Sequence, residues 1–392
     1  MADRDIQRAI TDIRVLPNPD PRNEVPGGAP DRAPLEFHRL LPGYAPTPLV
    51  DAPQIAAELG AGKVWVKNES ERLGLPAFKV LGASWASYRA LLAHLGIDAA
   101  TRMTLDELRE RLQPALPLKL TTATDGNHGR AVARIARWLG LDTEIFVPAD
   151  MTVARREAIA SEGATVTVVD GSYDDAVARA AALASERCLV IADTALRPDE
   201  EVPRWVIDGY STILWEVEDE LERLGEPGPE IVAVQMGVGA FAAAVTRHFR
   251  RPGVEPRPFL LGVEPLEAAC VLRSIEAGEP IVIPGPHRSI MAGLNCGAPS
   301  PVAWPVLKAG MDQFVAVDDE WARRAMRLLA ASGVVAGESG AAGLAGLLAL
   351  RAGDTSESAG DQMRLDSTSR VLIFNTEGAT DPEAYRQIVG NV

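Results

Sequence analysis

The chain has 392 residues, 47% of them apolar and 24% charged, with a net charge of −15 at pH 7. That length supports two domains with substantial cores, and the acidic balance argues against a nucleic-acid surface and suits a protein handling small molecules. Cys188, Cys270 and Cys296 are widely spaced with no CxxC pairing, which excludes a disulfide framework and a thiolate zinc site. No metal is expected, and a reducing cytoplasm is. No apolar run is long enough for a signal core or a bilayer span, so no membrane partner is expected.

In chain order, residues 1–34 form a polar leader punctuated by Pro17, Pro19, Pro21, Pro26 and Pro30, expected to be extended. A short strand follows over 64–67 and a helix over 84–95. A polar amphipathic helix spans 104–113, with Thr101 and Thr104 as candidate caps. Strands and helices then alternate: strand 119–122, helix 129–139, strand 144–147, helix 153–162, strand 165–169, helix 174–186 and strand 188–192. Later strands at 231–235, 259–263 and 370–374 are apolar throughout rather than alternating. Such strands, separated by helices, predict parallel sheet covered on both faces. The Ser-, Asp- and Gly-rich stretch 352–369 reads as a solvated loop.

Three segments carry chemistry. In Leu75-Pro-Ala-Phe-Lys-Val-Leu-Gly82, Lys79 sits among apolar neighbours just ahead of a predicted helix. Burial and the positive end of the helix dipole should both lower its pKa, giving the neutral amine that attacks a carbonyl. In Thr121-Thr-Ala-Thr-Asp-Gly-Asn-His-Gly-Arg130, small hydroxyl residues and glycines join a strand to a helix. Their backbone N–H groups can face an anion, or Asp125, Gly126 and Asn127 can simply cap the helix. His128 has no obvious carboxylate to orient it in local sequence and reads as packing under the loop. In Ala233-Val-Gln-Met-Gly-Val-Gly-Ala-Phe-Ala242, a strand runs through a glycine loop into a helix. This fits a single phosphate, or a dinucleotide with Glu264 on a ribose. The single phosphate accounts better for Lys79 and the 121–130 loop.

Together these segments resemble the fold-type II pyridoxal-phosphate enzymes, relatives of the tryptophan synthase β-subunit and the serine and threonine dehydratases. Within that group they are most similar to the diaminopropionate ammonia-lyases. Further matching stretches are Ala192-Asp-Thr194, Val202-Pro-Arg-Trp-Val-Ile-Asp-Gly-Tyr210, Ile290-Met-Ala-Gly-Leu294, Gly337-Glu-Ser-Gly340 and Thr376-Glu-Gly-Ala-Thr-Asp-Pro382. Aspartate just before Gly-Asn-His, here Asp125, is the ammonia-lyase variant; dehydratases carry a hydroxyl residue there.

The resemblance implies an α/β fold of two open, mostly parallel twisted sheets with helices on both faces. Residues 35–84 and 182–392 would form a large cofactor-binding domain, and 85–181 a small domain carrying the loop 121–130. It implies Lys79 as the lysine joined to pyridoxal 5′-phosphate and as a base toward the substrate Cα. Asp125 would be the base on the opposite face, opening the reaction to both D- and L-forms. Asp193 would lie near the substrate's β-amine, or else cap a turn. Phe78, Asn127, Gly237, Val238, Gly239, Ala240, Phe241, Glu338, Asn375 and Thr376 would contact the cofactor. Asn375 and Thr376 are alternatives for the partner of its ring nitrogen. Thr122, Thr124, Asp125 and Gly126 would contact the substrate.

The implied reaction is elimination of ammonia from 2,3-diaminopropionate, giving pyruvate and ammonia, by a homodimer. A dehydratase or β-replacement enzyme of the same fold is the alternative, and a cofactor-binding protein without turnover is another class. Departures from the family pattern at Leu196, Ala240, Phe241 and Ala379 put the substrate side-chain pocket in doubt more than the cofactor.

Overall fold

Where strands are buried on both faces, most side chains are apolar; where they lie at an edge, the pattern loosens. The computed structural model describes residues 12–171, 173–352 and 363–390. The start of the leader and most of the expected loop 352–369 lie outside the described residues. Its strands are β1 (Ile13–Pro17), β2 (Leu49–Asp51), β3 (Lys63–Asn68), β4 (Lys119–Ala123), β5 (Asp142–Pro148), β6 (Thr165–Val169), β7 (Cys188–Val190), β8 (Ile231–Gln235), β9 (Phe259–Pro265), β10 (Gln313–Val317) and β11 (Arg370–Asn375). They make a seven-stranded sheet, β1-β10-β9-β8-β11-β3-β2, and a four-stranded sheet, β6-β5-β4-β7.

The chain divides into two units. The first holds the described part of Met1–Pro30, with Pro46–Glu71 and Ile213–Val392; the second holds Asp31–Ala45 and Arg72–Thr212. In the first unit the interior pairs are parallel, and only the edge strands β1 and β2 run antiparallel to their neighbours. Strands β8 and β10 are buried along their whole length, while β1 is only half-buried. That edge position explains why Ile13–Pro17 was legible only as part of an extended leader. The helix Ala342–Ala352 is apolar on every side, with Ala342 to Leu350 all buried, as expected of a helix enclosed within a core.

The second unit is built on the all-parallel sheet β6-β5-β4-β7. The polar helix spans Leu105–Leu112, and its cap is Thr104 rather than Thr101, in a reciprocal capping box with Glu107. The helix near Lys79 spans Lys79–His94, so Lys79 is its first residue instead of preceding it. Val80, Leu81 and Gly82 are buried in its first turn, and that packing outweighs the low helical propensity of Gly82. A side chain at Gly82 would meet Tyr210 at 2.5 Å and Val206 at 2.8 Å, and one at Gly209 would meet the Leu81 carbonyl at 2.6 Å. Two glycines thus let Lys79–His94 approach the start of the helix Glu201–Leu224. This contact groups residues 72–84 and 182–212 with the smaller sheet. Among the described residues no helix is long and apolar enough to cross a membrane.

Candidate active site

The segment before Lys79 is fixed by a tight turn. Arg72 and Leu75 exchange backbone hydrogen bonds of 2.8 and 2.9 Å, leaving Leu73 and Gly74 in the left-handed region. For a leucine that conformation is strained. The Leu73 carbonyl accepts a 2.8 Å hydrogen bond from Arg134, which also pairs with the buried Glu162 at 2.6 Å.

From this anchored segment Lys79 reaches Asp193, with Nζ donating to Oδ2 at 2.8 Å. Their side chains retain 26% and 14% exposure. The expectation of a depressed lysine pKa is corrected here. Burial does push Lys79 down, but the charges of Asp193, Tyr210 and Asp125 outweigh it and the pKa is raised. For Asp193, burial favours the neutral acid, while Lys79 and then His128 hold its carboxyl at about 2. In the chain without cofactor this is an ammonium–carboxylate pair. Asp193 thus meets Lys79 directly instead of serving merely as a turn cap.

Two further side chains complete the cluster, and the sequence reading gave neither this setting. His128 is buried, with Nε2 2.7 Å from the Ile191 carbonyl and Nδ1 3.9 Å from Asp193 Oδ2. Burial lowers its pKa against the pull of Asp193. The carboxylate that faces its ring is Asp193, just beyond β7, rather than Asp125 of its own loop. Tyr210 packs against Phe78 with the rings tilted by 48° and their centroids 4.6 Å apart, and burial raises its phenol pKa. Its only signal in the sequence was its place at the end of the matching stretch 202–210.

The loop 121–130 is arranged mainly from within. The Thr124 hydroxyl accepts the N–H groups of Gly126 (2.9 Å) and Gly129 (3.0 Å), so this side chain braces the start of the helix Asn127–Leu139, whose N-cap is Gly126. Thr122 is buried and donates to the Ala123 carbonyl at 3.1 Å. Asn127 is half-buried at the helix start, and Asp125 is exposed beside it. Protein crowding around the Asp125 carboxyl raises its pKa; Lys79 and Arg155 pull it down and Asp193 adds to the rise. Solvent screening weakens these effects at an exposed group. A cavity of about 530 Å³ lies beside this end of the sheet, lined in part by Thr122, Ala123, Asp193, Thr194, Leu196 and Trp205.

The remaining expected residues belong to the first unit. The glycine loop follows β8, and Gly239 caps the helix Ala240–Phe249 in a left-handed conformation, φ 90°. A side chain there would also strike Leu307 at 2.4 Å. Gly237 and Val238 are half-buried and Ala240 is buried. Phe241 is buried edge-on against Phe374 at 5.1 Å, so its side chain belongs to the core and its backbone to the helix start. Glu338 precedes Ser339, whose hydroxyl accepts the Gly293 N–H at 3.0 Å. Asn375 and Thr376 are buried. Gln235, the lone polar residue of an otherwise apolar strand, donates to Thr376 at 2.8 Å; that break in the pattern was the signal that could have revealed it.

These residues fit pyridoxal phosphate. There is an accessible lysine, a glycine-capped helix start for a phosphate, and a buried threonine hydroxyl with a proton to give. They do not fit a dinucleotide held by Glu264. That carboxylate is fully buried and accepts the Val271 and Leu272 N–H groups at 2.8 Å each. Burial, opposed by those N–H groups, pushes its pKa up to about 8.

A family profile described as "Pyridoxal-phosphate dependent enzyme" matches residues 40–362. Diaminopropionate ammonia-lyase from Salmonella typhimurium is 36% identical over 370 residues, covering 91% of each chain. The same enzyme from Escherichia coli is 35% identical over 362 residues, covering 90% of this chain and 89% of the relative. The crystal structure of the holo form of the Escherichia coli enzyme superposes with a TM-score of 0.88 at 31% identity, covering 97% of each chain. The chain belongs to the pyridoxal-phosphate-dependent enzymes, in the family of the diaminopropionate ammonia-lyases.

Proposed function

We propose that the chain eliminates ammonia from 2,3-diaminopropionate, in both its D- and L-forms, giving pyruvate and ammonia. The observation that carries this is the cluster itself: one lysine held at 2.8 Å by one carboxylate, with a second carboxylate, Asp125, coupled electrostatically to both. Pyridoxal phosphate, when bound, takes up the electron density released at the substrate Cα. Once its charge pair with Asp193 is broken, Lys79 holds the cofactor and removes the Cα proton on one face. Asp125 is the base for the other face. Asp193 faces the β-ammonium in place of Lys79, keeping it protonated so that it departs as ammonia.

The same reading gives Phe78, Asn127, the backbone of 237–241, Glu338 and the 375–376 pair to the cofactor. It gives Thr122, Asp125, Gly126 and the backbone of Thr124 to the substrate. It also takes the protein to be a cytoplasmic homodimer, which three free cysteines support as to compartment and sedimentation checks as to assembly.

Purified protein loaded with cofactor is mixed with each enantiomer, and pyruvate and ammonia are counted together. Elimination followed by hydrolysis releases one pyruvate and two ammonia per substrate. Pyruvate from serine or 2-oxobutanoate from threonine, each with one ammonia, and neither diaminopropionate enantiomer consumed, establishes a dehydratase instead. With an added thiol nucleophile, consumption with one ammonia and no pyruvate, giving the β-thioether amino acid, establishes β-replacement.

A further inference from the structure

We propose that Gln235 is a positioning residue: it fixes the Thr376 hydroxyl as a hydrogen-bond donor to the ring nitrogen of pyridoxal phosphate and so keeps that nitrogen unprotonated. The inference rests on the cofactor reading above and concerns residues of one unit. Gln235 is 4% exposed. Its Nε2 lies 3.0 Å from the Phe374 carbonyl, 3.2 Å from that of Ser339 and 3.3 Å from that of Gly340. Carbonyl oxygens only accept, so the end of the side chain that meets them must be the amide nitrogen. The same nitrogen is 2.8 Å from Thr376 Oγ1, its shortest contact.

An amide nitrogen does not accept hydrogen bonds, so the Thr376 oxygen accepts here and its own proton must point elsewhere. Among the described residues no hydrogen bond takes that proton, although Thr376 is 4% exposed. Asn375 cannot substitute for it. Its Nδ2 gives its two hydrogens to Asn68 Oδ1 at 2.8 Å and the Val335 carbonyl at 2.9 Å, and its buried Oδ1 can only accept. Of the two alternatives left open by the sequence, Thr376 alone has a hydrogen to give.

A pyridine nitrogen accepts a hydrogen bond only when unprotonated. A hydroxyl free to turn could serve either protonation state, donating to the neutral ring or accepting from a protonated one. With Gln235 occupying one lone pair and no other acceptor for its hydrogen, Thr376 is held to the first.

The test uses the holoenzyme loaded with pyridoxal phosphate carrying ¹⁵N in the ring, read by nitrogen NMR together with cofactor affinity. The unaltered enzyme should show a neutral, hydrogen-bonded nitrogen. Thr376→Val and Gln235→Leu should each move the resonance toward that of a neutral nitrogen without a donor and weaken cofactor binding about tenfold, the scale of one hydrogen bond. The double variant should go no further than either single one, because both remove the same interaction. Thr376→Ser should restore the native resonance. Gln235→Met, close to glutamine in size and without a polar hydrogen, guards against a misfolded leucine variant and should give the same displacement.

A protonated nitrogen in the unaltered enzyme overturns the proposal. So do additive losses in the double variant, or an unmoved resonance in a folded Gln235 variant. A protein that takes up no pyridoxal phosphate overturns the cofactor reading itself, an outcome visible before any variant is made.

Discussion

Lys79 keeps its charge because Asp193, 114 residues away in sequence, lies 2.8 Å from it. Lys79→Ala should leave a folded protein that binds the cofactor loosely, without the visible absorbance of the covalent form; borohydride labelling that persists in this variant would sink the assignment. Asp125→Asn should lower turnover of D-2,3-diaminopropionate on the order of a hundredfold or more, as loss of a general base does, and turnover of the L-form by a smaller factor. Equal losses for the two enantiomers would make Asp125 an orienting group for the substrate amine. The residue scale also shows what side-chain chemistry hides. The resemblance makes Thr124 a substrate contact; its hydroxyl already accepts the Gly126 and Gly129 N–H groups, so what it retains for a ligand is its hydrogen.

At the scale of elements, the helix Lys79–His94 depends on its close approach to Glu201–Leu224 at Gly82 and Gly209. Gly82→Ala improves helix propensity by about 1 kcal/mol but places a methyl 2.5 Å from the Tyr210 ring. Overpacking of this kind typically costs about 1–3 kcal/mol. The contact should win, lowering the thermal midpoint and displacing Tyr210 from Phe78. A midpoint that rises would show that the two helices separate freely at this crossing. Most strands of the parallel sheets were legible because their pattern is local, and strand 165–169 was read from sequence with its observed bounds; the buried interior strand β10 was not read. The edge strands β1 and β2 were not: β1 mixes Arg14 and Pro17 into a half-buried run, and β2 is only three residues long.

For the whole molecule, one half-buried and one fully buried carboxyl group shape stability against pH in opposite ways. Asp193 is depressed to about 2, below an unfolded value near 3.9. Its contribution is therefore present above pH ~4 and lost as pH falls toward 2, amounting to about 2 kcal/mol. Asp193→Asn should flatten that part of the acid limb in urea unfolding. An unchanged limb would mean that the pair with Lys79 adds nothing to folding. Glu264 is raised to about 8, above an unfolded value near 4.3, so it becomes a growing burden as pH rises between these values and a constant one beyond. Relative to the native chain, Glu264→Gln should therefore gain stability steadily from pH ~4 to ~8. A difference independent of pH would show that Glu264 ionises normally in the folded protein.

The amino-acid sequence by itself determined the fold class, the lysine, the glycine loop and the 121–130 loop, because each is a short contiguous pattern whose backbone chemistry is carried within it. What only the tertiary structure decided is the state of those groups. Apolar neighbours along the chain predict a neutral Lys79, whereas a carboxylate folded against it from a distant strand end makes it an ammonium. Glu264 could serve a ribose on sequence grounds, until folding turned its oxygens onto the N–H groups of Val271 and Leu272. Asn375 and Thr376 were equivalent until Gln235, Asn68 and Val335 fixed which one retained a hydrogen to give. Periodicity and turn chemistry are local and can be read in order, but charge, burial and the direction of a hydrogen bond depend on neighbours that only the folded chain supplies.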